Sequence, residues 1–396
     1  MSLQETPTAN RLHIAIFGKR NSGKSSLINA ICGQEIALVS EVAGTTTDPV
    51  YKNMEINPLG PCTLIDTAGF DDSGRLGQMR VEKSRQALDK TDVALLVVAD
   101  DEFSAEQAWV AEFKKRKIPF IVIISKADLR ADNNDLADKA QAALGVKPLI
   151  VSARNKQNIG RIKEEIARFM PEDFQAASIT AHLVKPGDLV LLVMPQDIQA
   201  PKGRLILPQV QTIRDLLDHQ CLVMSVTTDN FAAAVGTLKK SPDLIIVDSQ
   251  VFKIIYDQKP PESLLTSFSV LFAGYKGNAS DFAQGAAAIE KLTEKDRILI
   301  AEACTHSPLE EDIGRVKIPN LLRKKIGPGL QIDMVSGMDF PDDLTPYALI
   351  IHCGACMFNR RYVLTRIAKA QGQEVPITNY GMAIAQLSGI LDKITV

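Results

Sequence analysis

The chain has 396 residues, long for one hydrophobic core and enough for two or three domains. Apolar residues at 45% and charged residues at 23% match an ordinary soluble globular protein, and a net charge of −2 speaks against a surface built for nucleic acid. Apolar runs such as 95–99 and 189–194 are far too short to cross a bilayer, and residues 1–10 are polar with no signal-peptide core. A frayed tail on a cytoplasmic protein with no membrane or nucleic-acid partner is the expectation. Six cysteines in such a chain make a poor disulfide framework, so any that cluster are candidates for metal binding or catalysis.

In chain order, Ile14-Ala15-Ile16-Phe17 has the pattern of a buried strand. Gly18-Lys19-Arg20-Asn21-Ser22-Gly23-Lys24-Ser25 follows, the full G-x-x-x-x-G-K-[ST] pattern. Residues 26–31 then have helical spacing, with Gly33 as a natural stop. Strand, loop and helix are the context a phosphate-binding loop needs. Its glycines let the backbone wrap a phosphate and show it several N–H groups. Lys24 is placed to reach the β- and γ-phosphates and the Ser25 hydroxyl to bind Mg²⁺, with Gly18, Asn21, Ser22, Gly23 and Ser26 completing the loop and helix start.

A polar loop with Gly44-Thr45-Thr46-Thr47-Asp48 precedes a strand-like run at 50–56. Asp66-Thr67-Ala68-Gly69 ends the next apolar run. Residues 92–99, 119–124 and 147–151 read as further strands, the last two ending in Ser125-Lys126-Ala127-Asp128 and Ser152-Ala153. Helical stretches alternate with them, so a largely parallel, doubly wound α/β sheet is expected, with every motif at a strand end where such sheets bind ligands.

This ordered set resembles the small GTPase superfamily over about residues 11–170. The resemblance implies that Thr46 joins the Mg²⁺ shell, with Thr45 or Thr47 able to take its place. Asp66 would hold the metal through water, and the Gly69 N–H would sense the γ-phosphate. Asp128 would accept both guanine edge donors, an arrangement that rejects adenine because it offers an acceptor there. The Lys126 stem would lie over the base, and Ala153, beside Ser152, would meet the guanine oxygen. Ser125 departs from the usual asparagine and has a shorter reach. Phe70 stands where Ras-type enzymes carry the water-orienting glutamine, so slow hydrolysis is expected. Asn21 with Ala43-Gly44-Thr45-Thr46 resembles the TrmE and Era group, in which an asparagine here helps bind K⁺; the other reading of Asn21 is a loop residue chosen for its turn preference. The catalytic set so implied is Asn21, Lys24, Thr46, Asp66 and Gly69. Asp71-Asp72-Ser73-Gly74, with Gly77, is small and polar, suited to a loop that changes order with nucleotide state.

Residues 170–188 read as a linker. Strands are expected at 189–194, 204–207, 221–226 and 244–247, and helices near 210–217, 231–238 and 251–256. This is a second, smaller α/β unit with no visible chemistry, in which Cys221 reads as a buried thiol. Lys259-Pro260-Pro261-Glu262 marks another boundary, giving domains at 1–172, 173–262 and 263–396.

In the last domain, an apolar strand at 298–301 ends at Cys304-Thr305-His306, and another at 348–351 ends at His352-Cys353-Gly354-Ala355-Cys356. A third strand is expected at 331–335. If these run parallel, both cysteine groups converge at one sheet edge. Cys304, Cys353 and Cys356, with His306 or His352 as a fourth ligand, fit a structural Cys₃His zinc site and an iron–sulfur cluster equally well by spacing.

The spacing Cys304-x-His306 followed by His352-Cys353-x-x-Cys356, behind a GTPase-like domain and a middle domain, resembles the [FeFe]-hydrogenase maturation factor family HydF along essentially the whole chain. That resemblance implies a cytoplasmic homodimeric scaffold, the middle domain making the dimer and a [4Fe–4S] cluster sitting on Cys304, Cys353 and Cys356. It implies receipt or assembly of a diiron subcluster precursor, delivery to apo-[FeFe]-hydrogenase, and the radical-SAM maturases HydE and HydG as partners. Three thiolates leave one iron open, with His306 as an exchangeable fourth ligand. His352, beside a ligand, would support it from behind or cap the strand. The alternatives are an RNA- or ribosome-associated GTPase with a Cys₃His zinc domain, disfavoured by charge and by 5% aromatics, and a thiol oxidoreductase using Cys353 and Cys356.

Overall fold

The structure is a computed structural model that describes residues 6–33, 49–70, 74–170, 178–195, 205–303 and 312–395. It divides into two compact units, Met1–Gln175 and Ala176–Val396.

In the first unit the strands are β1 (Leu12–Gly18), β2 (Val50–Ile56), β3 (Gly60–Asp66), β4 (Val93–Val98), β5 (Phe120–Ile124) and β6 (Leu149–Ile150). The helices are α1 (Lys24–Cys32), α2 (Gly74–Leu88), α3 (Ser104–Lys115), α4 (Asn133–Leu144) and α5 (Ile159–Phe169). The sheet order is β2-β3-β1-β4-β5-β6, parallel throughout except that β2 runs antiparallel to β3. Every residue of β1 is buried, because the sheet is covered on both faces. Ile14 and Ile16 pack with Leu27, Ile31 and Ile162 on one face. Ala15 and Phe17 point the other way, toward Trp109, Phe113 and Leu136, as the two-residue period of a strand demands. The doubly wound expectation is met, although the strand expected over 147–151 is only two residues long.

The second unit carries β7 (Leu189–Val193), β8 (Leu222–Val226), β9 (Leu244–Val247) and β10 (Leu264–Ser267) in one sheet of order β10-β9-β7-β8. A second sheet has β11 (Arg297–Glu302), β12 (Gln331–Ser336), β13 (Leu349–His352) and β14 (Ile377–Asn379) in the order β12-β11-β13-β14. All pairings in both are parallel. The helices are α6 (Leu207–Asp218), α7 (Phe231–Thr237), α8 (Phe252–Gln258), α9 (Phe268–Lys276), α10 (Ala279–Ala287), α11 (Ile318–Ile326), α12 (Arg360–Gln371) and α13 (Tyr380–Leu387).

Three expectations shift. Leu207 opens α6, with Pro208 in its first turn, and is not the end of a strand. Residues 178–188 are anchored rather than a free linker: Ile179 and Val184 are buried, and the Asp215 carboxylate accepts from the Ile179 and Thr180 amides at 3.1 and 2.8 Å. The prolines at 260 and 261 lead from α8 into β10, which pairs with β9, so the middle sheet extends past residue 262. The two sheets also share one apolar core, in which Leu191, Ile245 and Phe252 cluster with Leu299, Ile350 and Met382. That common core makes a single compact unit of the two expected domains.

Candidate functional site

The phosphate loop leaves β1 at Gly18. A Cβ there would lie 2.6 Å from the Val97 carbonyl oxygen and 2.7 Å from Ser22 Oγ, so only glycine fits. Gly23, at φ 98°, takes the left-handed conformation that a side chain resists and caps α1. Asn21 is also left-handed, at φ 56°, a conformation asparagine tolerates better than most residues. Lys24 is buried, its Nζ donating to the Gly18 and Lys19 carbonyls at 2.9 and 2.8 Å. Ser25 Oγ donates to Asp66 Oδ2 at 3.1 Å, joining the helix start to the end of β3. Burial pushes the Asp66 carboxyl up, against the pull of Lys24 and the Ser25 hydrogen bond. Ser26 lies in the first turn of α1, and Gly69 follows β3. Thr46 lies outside the described residues.

The base side is assembled at the ends of β5 and β6. Asp128 accepts from Ser152 Oγ at 2.6 Å, a bond that holds its carboxyl below the usual range, and Ser152 Oγ in turn accepts from the Asn155 amide at 3.1 Å. Ala153 follows directly. Lys126 is left-handed at φ 57° and donates from Nζ to the Asn21 carbonyl at 2.6 Å. The buried Ser125 hydroxyl donates to the Ser22 carbonyl, so the shorter residue still ties the base strand to the phosphate loop.

Sequence reasoning missed a second tie on the loop. Lys19 Nζ bonds Asp100 Oδ1 at 2.7 Å, the Glu102 carbonyl at 2.6 Å and Glu102 Oε2 at 3.1 Å, with Glu106 Oε2 3.7 Å away. No motif links these residues; only the adjacency of β1 and β4 brings them together. Phe70 packs on Trp109, ring centroids 5.8 Å apart.

In the second unit, β11 and β13 are parallel neighbours with Ala301 opposite His352. Ala303 and Cys353, the first residues after these strands, therefore lie at the same sheet edge. Cys353 Sγ accepts the Ala303 amide at 3.0 Å and the Ala355 amide at 3.4 Å. Ala303 is the last described residue before Cys304, and Cys304 and His306 lie outside the described residues. Cys356 is partly exposed, behind Ala355 at φ 52°. His352 is buried, and both ring nitrogens are engaged: Arg366 Nη1 donates to Nε2 at 2.8 Å, so the proton sits on Nδ1 and is donated to the Cys353 carbonyl at 2.8 Å. Burial first, and then the Arg366 charge, depress its pKa to about 3. Glu302 beside Ala303 is held by Arg315 Nε and Nη2 at 3.1 and 3.0 Å. Among the described residues no group of three or more His, Cys, Asp or Glu side chains could hold a metal ion. Two peptide N–H groups aimed at one sulfur nevertheless suit a thiolate ligand, whose charge they stabilise. By contrast, burial raises the thiols of Cys32 and Cys62 to about 11 and about 12 and pushes Cys221 up as well, so these stay protonated.

Comparison with known proteins follows the same division. A family model described as 50S ribosome-binding GTPase matches residues 13–126. Models described as the hydrogen maturase F dimerization and tetramerization domains match residues 179–277 and 280–395. The tRNA modification GTPase MnmE of Acinetobacter baumannii is 32% identical over 181 residues, 43% of this chain and 38% of that protein. GTPase Der of Wolinella succinogenes is 36% identical over 180 residues, 42% of this chain and 37% of that one. The chain thus spans less than half the length of these curated relatives. The crystal structure of an Era variant of Aquifex aeolicus bound to GDP·AlF₄⁻ aligns with a TM-score of 0.37 at 23% identity, covering 54% of this chain and 92% of that one.

Fold, phosphate loop and family model define the class: a P-loop GTPase domain joined to further α/β domains with parallel sheets. The two hydrogen maturase F models take up more than half of the chain between them, and the chain belongs to the hydrogen maturase F family.

Proposed function

We propose that this chain is a GTP hydrolase and an iron–sulfur scaffold that assembles or receives the precursor of the hydrogenase diiron subcluster and delivers it to apo-[FeFe]-hydrogenase. The observation that carries this reading is the pairing of a complete phosphate loop with a hydrogen maturase F domain in which Cys353 receives two backbone N–H groups. In the nucleotide unit, Lys24 and the N–H groups at the start of α1 bind the phosphates, and Asp128 with Lys126, Ser152 and Ala153 selects guanine. Ser25 and Thr46 would hold Mg²⁺, with Asp66 behind a water. Asn21 would contribute to a K⁺ site that speeds an otherwise slow hydrolysis; equal rates in K⁺ and Na⁺ would count against that role. Cys304, Cys353 and Cys356 would hold a [4Fe–4S] cluster, with His306 as the exchangeable fourth ligand. Such a cluster supplies one iron with an open position for an incoming group. His352 fixes the Cys353 backbone rather than binding metal, because neither ring nitrogen is free of a partner.

Self-association fits the dimerization and tetramerization models, and HydE, HydG and the apo-hydrogenase are the implied partners in a cytoplasmic pathway. The proposed organisation keeps a GTP-binding domain over 1–172, a middle domain whose sheet runs through β10, and a cluster-binding domain after it.

The test is iron, sulfide and zinc content with EPR on protein purified without oxygen, for wild type, Cys304→Ala, Cys353→Ala and Cys356→Ala. Stoichiometric iron and sulfide, with a reduced-cluster signal lost or altered in each variant, is expected. One zinc per chain and no sulfide after anaerobic reconstitution would sink the scaffold reading.

A further inference from the structure

Arg366, on α12, is only 2% exposed, and no acidic side chain among the described residues pairs with it. Its Nη1 donates to His352 Nε2 at 2.8 Å, its Nη2 to the Gly337 carbonyl at 2.6 Å and the Tyr362 hydroxyl at 3.1 Å, and its Nε has no hydrogen-bond partner. The rings of Phe340, Phe358 and Tyr362 enclose it, with centroids 4.6, 4.9 and 4.7 Å from the guanidinium carbon. A permanent charge sealed among aromatic faces and neutral acceptors is costly to bury unless an anion lies nearby. The ring faces recover part of that cost but cannot neutralise the charge.

The bond to Nε2 leaves His352 neutral, so the imidazole adds no charge and cancels none. It does relay position: Nδ1–H donates to the Cys353 carbonyl at 2.8 Å, and the Cys353 sulfur takes the amides of Ala303 and Ala355. The unbalanced cation therefore stands one imidazole behind Cys353. Glu302, at the end of β11, is already paired with Arg315, and a thiolate at Cys353, alone or on a cluster, is an anion that this position can supply.

We infer that Arg366 is a positioning and electrostatic residue for the cysteine site, holding Cys353 through His352 and offsetting the negative charge of the thiolate-bound group. The inference rests on the cluster reading above. Three thiolates on a [4Fe–4S] core carry one net negative charge when oxidised and two when reduced by one electron. A fixed cation behind them favours the reduced form and raises the reduction potential.

The experiment is an EPR-monitored redox titration, with dithionite as reductant, on the reconstituted full chain as wild type, Arg366→Gln, Arg366→Met and Arg366→Lys. Glutamine can still donate to His352 but has no charge, methionine suits the aromatic box if glutamine fails to fold, and lysine keeps the charge. At the wild-type midpoint, the neutral variants should show a reduced-to-oxidised ratio about tenfold lower, a shift of about 59 mV for a one-electron couple, with lysine staying near wild type. Folded neutral variants that lose iron while lysine retains it would also support the inference. A wild-type potential in Arg366→Gln with iron and sulfide intact would overturn it and leave the scaffold reading standing. So would a lysine variant shifted as far as glutamine, because that makes the role one of guanidinium packing; neutral variants that fail to fold while lysine folds would overturn it too, by making the charge a requirement of the fold and not of the cysteine site. A wild-type chain that holds no iron or sulfide would overturn both.

Discussion

At the scale of single residues, the nucleotide site is held by bonds that tie separate strand ends together. Ser125 is the clearest case, since its buried hydroxyl satisfies the Ser22 carbonyl inside the phosphate loop. Ser125→Ala leaves that carbonyl without its partner, a cost of about 1–2 kcal/mol, and the loop must relax to meet water. GDP affinity by titration calorimetry should fall about tenfold, since 1.4 kcal/mol is a factor of ten; unchanged affinity would mean the bond plays no part in binding. Glu106 gives a pH prediction. Its carboxylate is fully buried and makes no hydrogen bond, with Lys19 3.7 Å away, and burial raises its pKa above the ordinary value. A carboxyl whose folded pKa lies above its unfolded one adds stability below the unfolded pKa and loses it as pH rises through the folded pKa. Glu106→Gln should therefore be the more stable protein at pH 8 by about 1 kcal/mol, the gap closing toward pH 4 in urea unfolding. A variant less stable than wild type at pH 8 would show that the Lys19 pair outweighs the burial cost. Neither feature was legible in the sequence. The loop motif and Asp128 were, because their chemistry is contiguous; Lys19 with Glu106, and His352 with Arg366, meet only through sheet and helix neighbours.

Elements were legible in proportion to their burial. The strands of both parallel sheets that are covered on two faces, such as β1, β4 and β11, read as unbroken apolar runs. Failures came where a run was short. Residues 204–207 carried too little pattern to tell the start of α6 from a strand, and the three residues of β14 gave none. Yet β14 closes one edge of the cysteine-bearing sheet, and α10 lies against it so closely that Gly285 meets its backbone: a Cβ there would stand 1.9 Å from the Ile377 carbonyl oxygen. Backbone cannot move aside as a flexible side chain can. Gly285→Ala should force α10 off the sheet and cost at least about 2–3 kcal/mol in chemical denaturation followed by circular dichroism. A loss under about 0.5 kcal/mol, within the range of an ordinary surface substitution, would mean that the helix and strand are not in this contact.

At the scale of the whole molecule, residues 176–396 form one compact unit in which two sheets share a core across the proline-marked boundary at 259–262. The division into units can be followed from one side. Trp109 is the only tryptophan in the chain, and it is buried in the first unit among Phe17, Phe70 and Phe113. Its fluorescence therefore reports the unfolding of the nucleotide unit, whatever the second unit does. A ligand that binds only the folded state stabilises it by mass action, about 2.7 kcal/mol at a hundredfold excess over its dissociation constant. Mg²⁺ with GDP at that excess should raise the Trp109 transition by several degrees, since about 1 kcal/mol moves the midpoint of a domain this size by about 2–4 °C. ADP at the same concentration should leave it in place, because the Asp128 carboxylate would face an acceptor on adenine. Equal shifts with GDP and ADP would place the selectivity outside the Asp128–Ser152 pair. No shift with either would mean that the phosphate loop, complete as it is, does not bind nucleotide.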